Sequence, residues 1–199
     1  KANSLGQEVV EGLAKSIEIA EEGLWEGLVI GNNAQQFSVG ANLMLIGMAA
    51  FQQEYDDLNL MIKGFQEAMM RCRYSSVPVV VATQGYVFGG GCEMTMHCDA
   101  AVIAAESYIG LVEAGVGLIP GGGGTKEFAL RASDEFHTGD VMIPTLIERF
   151  KTIAMASVAT SGYEAFKLGY LDHKRDRVVV NTGRNIGEAK KEVLALASA

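Results

Sequence analysis

Two glutamates in this chain stand beside unusual runs of glycine, and carboxylates held in a cleft are groups that can transfer protons. Glu93 follows Gly89-Gly90-Gly91-Cys92, and Glu113, twenty residues later, opens the stretch EAGVGLIPGGGGT that ends at Thr125. The run Pro78-Val79-Val80-Val81-Ala82 is short, apolar and β-branched, so it reads as a buried strand, which the glycines end before a helix begins. Backbone N–H groups at a helix N-terminus lack intrahelical partners and carry the positive end of the dipole. An oxygen acquiring negative charge is stabilised there, with Gly90 or its neighbour as donor. A carboxylate such as Glu93 is tolerated in the same first turn.

Other chemistries fit less well. The phosphate-loop pattern G-x-x-x-x-G-K-[ST] is absent, because Thr125 precedes Lys126, and Gly115 to Gly121 misses G-x-G-x-x-G by one residue. Cys92, His97 and Cys98 fall at i, i+5 and i+6 on a helix, which do not share a face, so no metal site is expected. His97, His137 and His173 belong to no motif and are expected at the surface or in structural roles.

The elements that must position these residues are legible from periodicity. Val9, Leu13 and Ile17 mark an amphipathic helix within residues 5–22, Trp25 to Gly31 a strand, and Asn32 to Gln36 a turn. Leu58, Ile62, Phe65 and Met69 make one apolar face of a helix over 54–73, with Met61, Met69 and Met70 as adaptable core filling. Asp99 to Ala105 reads as a strand. Gly110 to Gly124 is irregular and glycine-rich, as when the backbone must pass close to a ligand or another segment. Ile143, Leu146, Ile147, Phe150 and Ile153 keep helical spacing, and that face needs a partner surface, within the chain or on a neighbour. Arg177 to Asn181 is expected to be extended and Asn185 to Ala199 helical.

Composition bounds the rest. At 199 residues and 49% hydrophobic content there is material for one domain with a core. No apolar run is long enough to span a membrane. Three cysteines without framework spacing fit a reducing cytoplasm. A net charge of −8 argues against nucleic acid but leaves room for an anionic ligand such as coenzyme A, which needs only local donors.

The runs QGYVFGGGCE and EAGVGLIPGGGGT resemble the signature of the crotonase superfamily, the enoyl-CoA hydratases and isomerases. Phe37-Ser38-Val39-Gly40-Ala41-Asn42-Leu43 resembles that family's other oxyanion loop, and Ala2-Asn3-Ser4-Leu5 its N-A-L motif. The resemblance covers roughly residues 2–131 and resumes near Thr160. It implies an α/β fold of the crotonase type, a β-β-α spiral core over 1–131, with a helical insert and C-terminal helical region over 132–199 in the same domain.

It also implies that the N–H groups of Ala41 and Gly90 hold a thioester oxygen and that Glu93 and Glu113 are the acid and base. Ser38, Val39, Gly40 and Gly121 would then line the substrate path. The activity implied is hydration of trans-2-enoyl-CoA to 3-hydroxyacyl-CoA in β-oxidation; an isomerase, or a non-catalytic CoA-binding module, is the alternative. No metal or bound cofactor is implied. Two departures bear on acyl preference: Asn42 replaces the usual acid, and Val87-Phe88 are bulkier than the common Ala-Leu pair. Crotonase relatives commonly form trimers and pairs of trimers, so a homo-oligomer is expected. Chain entry on the N-A-L motif and the turn near Gly169-Tyr170-Leu171 resemble the hydratase portion of bifunctional proteins. The expectation is therefore covalent fusion to an NAD-dependent 3-hydroxyacyl-CoA dehydrogenase, outside these residues.

Overall fold

The computed structural model describes residues 3–199, so Lys1 and Ala2, the first residue of the N-A-L motif, lie outside the described residues. Helix α1 (Gln7–Glu22) precedes strand β1 (Leu28–Ile30), and α2 (Leu43–Phe51) and α3 (Tyr55–Arg73) follow. Then come β2 (Val79–Thr83), β3 (Tyr86–Phe88), α4 (Gly90–His97), β4 (Ala100–Ala104) and β5 (Tyr108–Gly110). A 3-10 turn at Glu113–Val116 leads to α5 (Gly124–Asp134), α6 (Met142–Ala154), α7 (Gly162–Leu168), β6 (Arg177–Val179) and α8 (Asn185–Ala197).

Strands β1-β2-β4-β6 form one all-parallel sheet, and β3-β5 a second parallel pair. The chain passes through both sheets in turn, β2 into β3 and then β4 into β5. Ser38 after β1 also bridges Val87 of β3 in parallel, so three successive passes stack as turns of a spiral. This is the expected crotonase-type α/β architecture. Every residue of β2 and of β4 is buried, as parallel strands covered on both faces require. Each buried valine of β2 contributes about 1.5–3 kcal/mol of transfer free energy.

The main core joins Ile17, Met69, Met96, Ile103, Phe128 and Tyr170. A smaller cluster on the sheet's other face packs Val80, Ala82 and Val102 against Ala189 and Val193 of α8. Residues beyond 131 are therefore not only helical, since β6 extends the main sheet beside β4.

Several expectations change in three dimensions. Val9 is exposed on α1, and its neighbour Val10 packs on the core instead. Only Met69 of the three α3 methionines fills the core; Met61 and Met70 face outward. Helix α6 docks through Arg149, Thr152 and Ile153, with the Arg149 guanidinium 5.7 Å from the centroid of the Phe128 ring. Leu146 and Phe150 stay exposed, Phe150 at 69%, so most of the face that the periodicity marked is not covered by the described residues. Val87 is fully buried in the main core. Among the described residues no helix is long and apolar enough to cross a membrane.

Candidate functional site

The site forms where three passes of the spiral meet. The loop after β1 runs alongside β3: Ser38 N–H donates to Tyr86 C=O, and Phe88 N–H returns to Ser38 C=O, both at 3.0 Å. This lays Gly40 against Gly90, so that a β-carbon on Gly40 would stand 3.3 Å from the Gly90 nitrogen. Gly89 makes the sharp turn from β3 into α4 at φ +52°, a conformation that side chains disfavour. Its N–H is spent on Gly110 C=O at 3.0 Å, and that of Gly40 on Ser38 Oγ at 3.0 Å. The N–H groups of Gly90 and Ala41 have no hydrogen-bond partner among the described residues. Two donors are thus left at the junction of the loops, one of them at a helix N-terminus.

The two carboxylates flank this turn. Glu113 lies on the Gly89 side, where a β-carbon on Gly89 would be 3.3 Å from its Oε1. Glu93, only 2% exposed, points from α4 toward the start of α5 and accepts from Gly124 N–H at 2.9 Å. The N–H groups of Gly122 and Gly123 also favour its charged form. Gly122 is required by close approach, since a β-carbon there would collide with Phe65 and with Glu93 Oε2.

Burial outweighs those donors. Desolvation, with the nearby charge of Glu113 adding to it, pushes Glu93 up to about 7 despite the helix-end hydrogen bonds. Burial also raises Glu113, whose Oε2 is buried without a hydrogen-bond partner. A carboxyl poised near neutrality gives up and takes back a proton at little cost, which suits general acid–base work.

Some of the sequence-derived residues serve the site indirectly. Ser38 is buried and its hydroxyl holds the Gly40 N–H, so it shapes the loop. Val39 is half-buried, and the Gly121 C=O is taken by Gln66 Nε2 at 2.7 Å. Asn42 caps α2, accepting from Met44 N–H at 3.1 Å. Phe65, Gln66 and the N–H donors of Gly122 to Gly124 were not expected at the site. Spacing placed Phe65 on an apolar helix face, but nothing in that pattern says which surface the face meets. His97 takes the structural role: it is buried, with Nδ1 2.7 Å from the Glu93 C=O. His137 is exposed, and His173 stacks on Phe166 with ring centroids 4.0 Å apart.

Comparison with known proteins accords with this geometry. Residues 1–136 match the family model described as Enoyl-CoA hydratase/isomerase. A relative from Bacillus subtilis (strain 168), named "Probable 3-hydroxyacyl-CoA dehydrogenase", is 38% identical over 196 residues, 98% of this chain and 24% of that protein. A putative fatty acid oxidation complex trifunctional enzyme from Rickettsia felis is 33% identical over 76% of this chain and 21% of its own length. The chain thus spans about a quarter or less of these curated relatives. In fold it resembles an enoyl-CoA hydratase from Polaromonas sp. JS666, with a TM-score of 0.79 at 20% identity over 98% of this chain and 69% of that one.

Proposed function

Because the chain belongs to the enoyl-CoA hydratase/isomerase family, we propose that it hydrates trans-2-enoyl-CoA thioesters, with Glu93 and Glu113 as the proton-transfer pair and Gly90 and Ala41 as the oxyanion donors. The observation that carries this reading is the buried Glu93 and the half-buried Glu113 flanking one glycine turn, both carboxyls raised by desolvation. Adding water needs one group to orient the water at C3 and one to supply a proton at C2. The thioester oxygen becomes enolate-like as this happens, and each N–H aimed at it is worth about 3–4 kcal/mol. Shifting a double bond needs only one base, so the pair favours hydration over isomerisation.

The assay follows loss of the conjugated thioester absorbance of crotonyl-CoA. Glu93→Gln and Glu113→Gln should each lower kcat by about 10²–10⁴-fold with little change in affinity for the CoA product. Equal activity of either variant and wild type rejects the assignment. Gly90→Pro, which deletes the N–H, should abolish turnover; a folded, fully active variant removes Gly90 from the oxyanion role.

The names of the relatives support a further part of the reading, that this hydratase region belongs to a longer protein with a 3-hydroxyacyl-CoA dehydrogenase region. Hydration makes the 3-hydroxyacyl thioester that such a dehydrogenase oxidises, and tethering raises the local concentration of one site near the other. Reading the full open reading frame tests it. The exposed Leu146 and Phe150 support a homo-oligomer, for which sedimentation over micromolar concentrations is the test.

A further inference from the structure

A second buried carboxylate lies beneath the turn that supplies the hydrogen bonds to Glu93. Glu127, in the first turn of α5, is 0% exposed. Its carboxylate is paired with Arg73 of α3 and with Lys126 Nζ at 2.8 Å, and it faces His97 Nε2 at 3.5 Å. That last contact is not an ion pair: burial drives His97 down to about 4, so the imidazole is neutral near pH 7. The 2.7 Å approach of Nδ1 to the Glu93 C=O places the ring proton on Nδ1. His97 Nε2 is buried without a hydrogen-bond partner among the described residues, and Glu127 Oε1 has the Lys126 ammonium as its partner.

The contacts of this cluster converge on one place. The His97 ring lies under Gly123, where a β-carbon would stand 3.0 Å from both Cε1 and Nε2. The Glu127 N–H donates to Gly123 C=O at 2.9 Å. Above the same turn, Gly124 N–H donates to Glu93 Oε1. The start of α5 is therefore gripped from below by His97 and Glu127 and presents its N–H groups upward to Glu93.

We propose that Glu127, acting through the Gly122–Gly124 turn that rests on the His97 ring, is a positioning residue for the Glu93 carboxylate. The proposal rests on the reading of Glu93 as a proton-transfer group. Anchored to Arg73 on α3, Glu127 ties the start of α5 to α3, so that the Gly124 N–H stays bonded to Glu93 with the N–H groups of Gly122 and Gly123 close by. The charged or titratable groups around this assembly are Glu113 from the 3-10 turn, Cys92 beside Glu93 on α4, Arg73 from α3, and Lys126 and Arg131 from α5.

Position and charge predict opposite signs. Removing the Glu127 charge leaves Arg73 and Lys126 uncompensated, so through space alone Glu93 would ionise more easily. Loosening the turn withdraws N–H donors, so Glu93 would ionise less easily. The test is a ¹³C-glutamate NMR titration of the 199-residue chain, with the Glu93 resonance assigned by its loss in Glu93→Gln. Glu127→Gln should raise the Glu93 midpoint, and in the same variant kcat for crotonyl-CoA should fall on the order of tenfold or more with KM within about twofold. His97→Met removes the imidazole from under Gly123 while leaving the ion pairs of Glu127. It should shift the midpoint the same way, and it carries the test should Glu127→Gln not fold. A midpoint that falls or stays put overturns the proposal. So does an unchanged kcat in Glu127→Gln where Glu93→Gln is inactive. The titration is independent of turnover: should Glu93→Gln be fully active, the functional reading fails while the midpoint still decides whether Glu127 positions Glu93.

Discussion

Glu93 and Glu127 are both buried, project from adjacent helices, and contact opposite sides of the same glycine turn, yet they ionise in opposite directions. Glu93 is served by backbone N–H groups and faces another carboxylate, and its burial wins, so it stays near neutrality. Burial works upward on Glu127 too, but the Lys126 hydrogen bond and the charge of Arg73 overcome it and hold it below the usual carboxylate range. At Glu93 the neutral donors do not offset burial, so the carboxyl stays titratable, whereas at Glu127 full charges offset it and hold the anion. The first arrangement suits a group that must exchange a proton. The second suits one that must not.

The largest expected effect on this contrast comes from Glu127→Ala, which strands Arg73 and Lys126 beside a buried void. A loss of about 3 kcal/mol in urea unfolding at pH 7 is expected, since breaking a buried pair leaves uncompensated charge. A loss under about 1 kcal/mol would mean that the anion is dispensable to the fold.

Glu93→Gln should behave in the opposite sense and depend on pH. The folded-state pKa of Glu93 lies above its unfolded value, so below pH ~4.5 the carboxyl is neutral in both states and costs nothing. As pH rises through about 7 the folded state must hold a buried charge, and stability is lost. The Gln variant should therefore gain up to roughly 3 kcal/mol relative to wild type between pH 4.5 and pH 8. A difference that is flat across that window would show that Glu93 ionises normally.

Smaller effects sharpen the comparison. Lys126 is partly exposed, with 37% of its side chain accessible, so solvent screens its pairing with Glu127. Lys126→Met should cost only about 0.5–1 kcal/mol in the same unfolding experiment. A cost as large as that of Glu127→Ala would make Lys126 rather than Arg73 the main partner. Phe150→Ser, on the uncovered face of α6, should change the stability of the monomer by less than about 0.5 kcal/mol while weakening any self-association seen by sedimentation.

Much of this molecule was written locally. The β-branched run 78–82 became a central strand because such side chains suit a sheet covered on both faces. The glycine triplet became a strand-to-helix turn because glycine sits easily at the Gly89 backbone angles, but the strand it ends is β3, a separate short strand of the second sheet, and not the run 78–82. The two glutamates stood out beside their glycine-rich runs, whereas the loop at Ser38 to Ala41 was marked only by its resemblance to the crotonase signature.

What tertiary structure alone decided involves pairs far apart in sequence. Arg73 and Glu127 are 54 residues apart, and Glu93 and the Gly124 N–H 31. Neither pairing leaves a periodic trace. Periodicity marked an apolar stripe on α6 but could not say that the helix would dock through Arg149 and Ile153 and leave Phe150 outside, because docking depends on the surface of α5 beneath it. Nor could residue type separate Glu93 from Glu127. Their ionisation depends on what surrounds each carboxylate, and those surroundings exist only once α3, α4 and α5 have packed together.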